Sequence, residues 1–332
     1  MKALTLAKAG QAIETREQRA NWRHAVFFQA KKILWVTVRT IIVSGICFLI
    51  LYPLVAKLSV SIMAERDLYD ITVCYVPKHF TWDNYRIVWR YMGFPGTFFN
   101  SFWLSFTTGL LQVISCTLVG YGFARFDFPF KKLFFGMVIV MLVVPPSTIM
   151  VPLFLRFRFF DLFGLVKLIS GNTINLIDTF WPFVLTSITG TGLRNGLYIY
   201  MMRQFFRGSP KELEESAYVD GAGPYKTFYY IMLPIAVPMM VTVFLFSFVW
   251  QWTDTFYTTL FLEKMMTLPT ILSSLAVSIN YQEFGTMATM SPAYASMLNN
   301  TGSVLVIFPL IVIYLIAQRY FVESIQRSGI IG

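Results

Sequence analysis

An all-α polytopic membrane protein with six transmembrane helices is the fold class this sequence predicts, on three observations. Of its 332 residues, 56% are hydrophobic and 13% charged, and the mean hydropathy is +0.60, which takes the chain outside the range of water-soluble domains. Six apolar stretches, over residues 33–58, 98–123, 133–155, 178–202, 232–258 and 296–318, each reach the roughly 20 residues that a helix needs to cross a bilayer. Seven of the 27 Lys and Arg residues, Lys2, Lys8, Arg16, Arg19, Arg23, Lys31 and Lys32, precede the first stretch. They mark a cytoplasmic flank, and their position directs the positive charge toward anionic lipid headgroups rather than nucleic acid.

The first stretch is too long for the apolar core of a cleaved signal peptide and lacks a small-residue cleavage site, so it is expected to stay as a helix. With an even number of spans the C-terminus returns to the cytoplasm. The short loop of Arg125, Asp127, Lys131 and Lys132 is net basic and falls inside, while the segment from Glu65 to Arg90 has balanced charges and falls outside. The segment with Arg156, Arg158, Asp161 and Lys167 runs against this rule, being net basic where an outside loop is expected. It and the stretch from Lys264 to Pro292 have room for short interfacial helices. Cys47 and Cys116 lie in apolar segments and Cys74 in a loop, without the spacing of a metal site or a disulfide framework.

No repeat or low-complexity linker divides the chain. The organisation expected is a basic N-terminal segment (1–32), a first span with its extracytoplasmic loop (33–97), a core of five spans (98–319) that includes a cytoplasmic loop at 203–231, and a cytoplasmic tail (320–332). Six helices leave little room for the paired inverted repeats of many secondary transporters, so a pathway completed by a second chain is expected.

Charge and helix signals concentrate between the fourth and fifth stretches, from Met202 to Pro238. Ser209 fits an N-cap, Pro210 the first helical position, and Glu212, three residues after the serine, a capping box. Lys211 and Glu215 stand at i, i+4. This helix is expected to end near Gly221, and Gly223-Pro224 to turn the chain into a second short helix running to Leu233 and Pro234. The product is a helical elbow. Leu213, Ser216, Ala217 and Asp220 share one face of its first arm, where small side chains let another backbone or a cleft wall come close. Taken alone, these residues fit either a docking surface or a connector packed on its own protein.

The spacing Glu215-Ser216-Ala217, three residues, Gly221, nine residues, Ile231-Met232-Leu233-Pro234 resembles the EAA loop of ABC importer permeases, Glu-Ala-Ala, x3, Gly, x9, Ile-x-Leu-Pro. Ser216 stands where that family has its central alanine. Across nearly the whole chain the sequence is similar to the carbohydrate-uptake subunits represented by the second permease of the maltose transporter. The similarity rests on Phe80-Thr81, Asn84-Tyr85, Asn100-Ser101, Tyr121-Gly122-Phe123-Ala124-Arg125-Phe126, Arg203-Gln204-Phe205-Phe206, Leu268-Pro269 and Ala317-Gln318-Arg319-Tyr320-Phe321-Val322.

This resemblance implies the MetI-like fold of type I ABC importers, a place in the bacterial cytoplasmic membrane, and import of a sugar or oligosaccharide by alternating access. It implies four partners: a homologous permease subunit, two copies of an ABC ATPase that bind ATP and Mg, and an extracytoplasmic solute-binding protein, with no cofactor in this chain. It further implies that Glu215, Ala217 and Gly221, with Ser216, Asp220, Leu233 and Pro234, seat the elbow in a groove of the ATPase, and that Glu214 or Glu215 meets a basic residue there. The basic N-terminus is longer than is typical of the family, and the tail from Ser328 to Gly332 lacks its usual lysine.

A polar side chain within a span faces a cavity, a partner helix or an interface. Trp250, Gln251, Trp252, Thr253 and Asp254 stand where the family shows Trp-Asn-Asp. Asp254 either accepts sugar hydroxyls while Trp250 or Trp252 stacks on a pyranose face, or it fixes helix packing or caps a turn. Asn299, Asn300 and Thr301 fit the same pathway or the headgroup region, and Arg194 with Asn195 fits snorkelling or pairing. An ABC importer of another solute and an ion-coupled secondary transporter are the alternatives; the latter predicts several buried carboxylates, where Asp254 stands nearly alone. There is no HExxH, nucleophile elbow or Walker A motif, and neither His24 nor His79 stands beside a nucleophile or metal ligands, so neither catalysis nor metal binding by this chain is expected.

Overall fold

The computed structural model describes residues 2–329 apart from 74, 163 and 286–288, without the side chains of residues 2–27, 30, 170, 284 and 320–329. Cys74, the last three residues of the tail, and the side chains of the cations from Lys2 to Arg23 lie outside the described residues. The chain forms two compact units, Met1–Val60 and Ser61–Gly332. The first unit is α1 (Lys2–Ser61) as far as Val60, and the apolar part of this helix, Lys31–Ser61, is a candidate span. Phe48, Leu49 and Ile50 are all more than half exposed, as suits a helix facing lipid or another chain.

The second unit opens with a loop tied by polar contacts. Asp67, 2% exposed, accepts the His79 backbone N–H at 2.8 Å and pairs with His79 Nδ1 at 2.6 Å. Asn84 Nδ2 donates to the Ser61 and Met63 carbonyls at 3.0 and 2.8 Å. After α2 (Asp83–Tyr91), α3 (Phe94–Arg125) is an unbroken apolar helix of 32 residues.

The next two apolar stretches are not straight helices. The third is divided into α4 (Lys131–Val143) and α5 (Pro146–Arg158), bent by 105°. A residue before proline is pushed out of the helical region, and the tandem Pro145-Pro146 does this twice, leaving Val144 at ψ 120° and Pro145 at ψ 137°. The fourth stretch, beyond the short α6 (Leu165–Ser170), is divided into α7 (Trp181–Ile188) and α8 (Asn195–Gly208). Between them Gly190 and Arg194 adopt φ of 71° and 61°, which no right-handed helix admits.

The elbow helices α9 (Glu212–Val219) and α10 (Pro224–Thr227) follow, then a π-turn at Phe228–Met232 and α11 (Leu233–Thr253). The chain closes with α12 (Phe256–Phe261), α13 (Leu268–Phe284) and α14 (Pro292–Gly329). Among the described residues, four helices are long and apolar enough to cross a membrane, and five spans result if the bent pair counts as one.

The helices α8 and α11 pack on α3, and small residues let the backbones approach. A Cβ on Gly120 would stand 2.6 Å from Met202 Cβ, and one on Gly196 would stand 2.9 Å from the Val138 carbonyl. One apolar cluster, with Tyr121, Met202, Phe206 and Met232, fills the elbow end. A second, with Met92, Phe248, Trp252 and Leu298, joins α2, α11, α13 and α14. A third gathers Leu104, Phe157, Phe183 and Phe261.

Candidate functional site

The start of the elbow differs from the capping box expected. Ser209 ends α8 instead: its hydroxyl donates to the Phe205 carbonyl at 3.0 Å, and its own carbonyl accepts from Arg125 Nη2 at 2.9 Å. Glu212 is the first residue of α9, and no side chain caps that helix. Lys211 and Glu215 form no ion pair among the described residues. The acidic first turn, with Glu212, Glu214 and Glu215, instead complements the helix dipole.

The first arm ends where expected. Gly221 adopts φ of 81°, the Ala222 N–H donates to the Ala217 carbonyl at 2.9 Å, and the Gly221 N–H donates to Tyr218 at 3.1 Å. This is a Schellman closure, which asks for glycine at the left-handed position. Gly221→Ala is expected to destabilise α9 by about 1–2 kcal/mol, seen as faster amide exchange. Gly223, with equally open space but a φ of −76°, is expected to tolerate alanine far better.

The second arm, α10, does not stop short of Leu233 but runs through the π-turn into α11. Pro224 begins a 30-residue helix that runs to Thr253, and Leu233 and Pro234 lie inside it. Pro234 has no N–H to offer the preceding turn, and the wider π-turn just ahead of it relaxes the ladder there.

Burial divides α9 into two sides. Glu214 and Ala217 are buried, at 6% and 5% exposure, while Leu213, Glu215, Ser216 and Asp220 are exposed. Ala217 therefore turns inward, away from the face it was expected to share with Leu213, Ser216 and Asp220. The Glu214 carboxylate lies 2.8 Å from Arg125 Nε, with both side chains 8% exposed, and accepts the Tyr121 hydroxyl at 2.9 Å. Through its contact with Ser209, the same guanidinium joins the ends of α3 and α8 to α9. The Tyr121 ring packs on Phe206 and Phe228, at centroid distances of 5.2 and 4.6 Å, and so ties the anchor to the second arm. Glu214 is thereby engaged within its own chain, which corrects its expected role toward a partner's basic residue. Glu215 is left as the exposed carboxylate of the pair.

Farther along, a cavity of about 220 Å³ is lined by Gln112, Arg156, Phe183, Ser187, Gln251 and Tyr257 among others. Gln251, 5% exposed, has no hydrogen-bond partner for its Nε2 among the described residues. Gln112 Nε2 donates to the Leu193 carbonyl at 3.1 Å, and Gln112 Oε1 accepts from the Ser247 hydroxyl. Trp250 and Asp254 line an adjoining hollow with Arg194 and Tyr257.

Other pathway candidates have structural roles. Trp252 is 1% exposed, its indole N–H donates to the Val306 carbonyl at 3.1 Å, and the rings of Phe98 and Phe248 cover it at 5.8 and 5.6 Å. It has no free face for a sugar, which corrects that expectation. Trp250 carries the Arg194 guanidinium over its ring at 4.0 Å. Asp254 Oδ2 accepts the backbone N–H and hydroxyl of Thr258 at 2.8 and 3.0 Å, so it caps α12, as the second reading of this residue has it. Thr301 is fully buried and donates to the Met297 carbonyl in its own helix at 2.9 Å. Asn299 and Asn300 are half-buried, on α14. Among the described residues, no cluster of His, Cys, Asp and Glu could hold a metal.

Residues 116–327, more than half of the chain and the whole of the elbow, match the family described as binding-protein-dependent transport system inner membrane component. The chain belongs to this family. It is 27% identical over 292 residues to the arabinooligosaccharides transport system permease protein AraQ of Halalkalibacterium halodurans, covering 86% of this chain and 93% of that protein. It is 27% identical over 260 residues to the trehalose transport system permease protein SugB of Mycobacterium tuberculosis, covering 77% and 84%. Its fold is similar to the crystal structure of a bacterial ABC transporter involved in the import of the acidic polysaccharide alginate, with a TM-score of 0.65 at 18% identity, covering 87% of this chain and 96% of that one. The protein is thus a multi-pass membrane permease component and not an enzyme.

In this inner membrane component, three residues of the site escape a reading of the sequence as roles. Tyr121 enters it only as part of a family resemblance, Arg125 through that resemblance and as one charge of a basic inside loop, and Gln112 not at all. The signal for Gln112 is present in the sequence: an amide in the middle of an apolar helix needs a partner or a cavity.

Proposed function

We propose that the chain is one permease of an ATP-driven importer of a sugar or oligosaccharide, paired with a homologous permease, two copies of an ATPase that bind ATP and Mg, and an extracytoplasmic solute-binding protein. Both termini and the elbow face the cytoplasm, and α9 docks on the ATPase through Leu213, Glu215, Ser216 and Asp220. The observation that carries this reading is the buried contact of Glu214 with Arg125 and Tyr121. It makes the elbow part of the membrane helices, so force on its exposed side is delivered to the helix Pro224–Thr253, which brings Gln251 to the cavity.

A sugar is supported by the transport systems named for the two relatives, and by the amides of Gln112 and Gln251, which match hydroxyl groups in hydrogen bonding. The Ser216 hydroxyl donates to the Leu213 carbonyl at 3.1 Å, so the serine keeps the docking face small without presenting a free donor. The test is reconstitution of the complex in vesicles with the binding protein supplied. Glu215→Lys is expected to leave the chain inserted and to lower ATP-driven uptake by about tenfold or more, the cost of one like-charge contact at an interface. Wild-type coupling in that variant rejects the docking role, and robust uptake by this chain alone rejects the importer.

A further inference from the structure

A second cavity, of about 630 Å³, lies at the elbow end, where α3 finishes, α4 starts, and the last turns of α8 meet α9. Its charged lining is Arg125, Lys131, Arg203, Arg207 and Lys211, set against Asp127, Glu214 and Glu215. Two of the cations are neutralised inside the cavity, Arg125 by Glu214 at 2.8 Å and Lys131 by Asp127 at 3.0 Å. Arg203, Arg207 and Lys211 have no carboxylate partner among the described residues, and face the single unpaired carboxylate of Glu215. The Arg203 guanidinium is held over the Phe135 ring at 3.8 Å, and its Nη1 reaches Gln204 Oε1 at 3.3 Å. Its Nε is buried without a hydrogen-bond partner, and a buried donor of that kind calls for an acceptor oxygen.

Depth narrows the choice of acceptor. One candidate span ends at Arg125 and the bent pair begins at Lys131, so the cavity stands where hydrocarbon gives way to headgroups. Phe126 lines it, and the chain that leads from there into α4 is aromatic and uncovered: Phe126, Phe128, Phe130 and Phe134 are 45%, 37%, 72% and 47% exposed. The apolar side of α4 continues from there with Leu133 and Met137, both more than half exposed. A soluble anion would be served by the cations alone, whereas a phosphate carrying acyl chains uses both the cations and the apolar track.

We infer that this cavity binds an anionic phospholipid, with its phosphate on Arg203, Arg207 and Lys211 and its chains along α4. Glu215 and Tyr218 of α9 form one wall of the cavity, so an occupied site braces the elbow from the membrane side. The inference needs the membrane placement of the chain but not the docking role of α9.

The test uses the full chain in nanodiscs of phosphatidylcholine with and without phosphatidylglycerol, and native mass spectrometry to count the phosphatidylglycerol retained. Arg207→Gln, at an exposed side chain that folding does not depend on, is expected to weaken retention about fivefold, and Arg203→Gln with Arg207→Gln by more than tenfold, the scale of one and two cations at a lipid surface. Lys132→Gln, which removes an exposed cation outside the cavity, is expected to retain lipid like the wild type. Equal retention by the double variant overturns the site, as does equal loss in Lys132→Gln. Displacement of the lipid by inorganic phosphate at matched concentration assigns the cations to a soluble anion and overturns the lipid. Loss of ATPase association with lipid retention unchanged gives the cavity to an acidic protein surface, with the same consequence.

Discussion

Glu214→Ala is expected to loosen the elbow from the membrane helices at a cost of about 3–5 kcal/mol, because it leaves the Arg125 guanidinium buried without its counter-charge. The two side chains are each 8% exposed, so water screens this pair little. The Tyr121 hydroxyl loses its acceptor in the same step, while the Arg125 contact with the Ser209 carbonyl remains. The neighbouring Glu215→Ala, at an exposed carboxylate, is expected to stay within about 0.5 kcal/mol. Replacing both Arg125 and Glu214 by leucine removes the orphaned charge and is expected to recover most of the loss. Thermal unfolding of the detergent-solubilised chain reads all three variants. Equal stability of Glu214→Ala and Glu215→Ala would show that the inward and outward sides of α9 are wrongly assigned.

Gly120→Ala is the second large effect expected. The added methyl stands 2.6 Å from Met202 Cβ and 3.0 Å from the Arg203 backbone nitrogen. Neither neighbour is the end of a flexible side chain, so α3 and α8 must separate. Overpacking of this kind costs about 1–3 kcal/mol. Two residues on, Gly122 has nothing within 4 Å of its Cβ position, and there alanine is expected to be neutral or stabilising by up to about 1 kcal/mol, from helix propensity. The contrast between the two substitutions, measured in one detergent, checks the packing of α3 on α8; equal melting temperatures would falsify it.

The helices that were legible in the sequence are those for which length and apolarity suffice. Residues 98–123 and 296–318 each fall on a continuous candidate span, and 232–258 does so as far as Thr253, where Asp254 leaves the helical region at ψ 123°. The breaks at Pro145-Pro146 and at Gly190 to Arg194 are written in two to five residues, and an average over a span-length window hides them. Gly221 was legible because a left-handed helix end asks for one residue type, and that demand is local. Ser209 was not, since its hydroxyl can serve the helix before it or the one after, and only the packing of Arg125 against α8 decides. The same holds for Glu214 and Glu215: adjacent and chemically alike, they are separated by a guanidinium from a distant helix. Trp252 and Asp254 likewise look like ligands in sequence, because a buried indole and a capping carboxylate have the same composition as a sugar site.

The two-sided burial of α9 has a consequence for how such a subunit changes partner. Glu214 and Ala217 answer to the fold, and substitutions there are felt first as lost stability. Leu213, Ser216 and Asp220 answer to whatever lies against them, and can vary without disturbing the anchor. On the docking proposed for α9, exchange of one ATPase for another is a matter of rewriting an address of a few exposed side chains, while the structure that carries the address stays as it is.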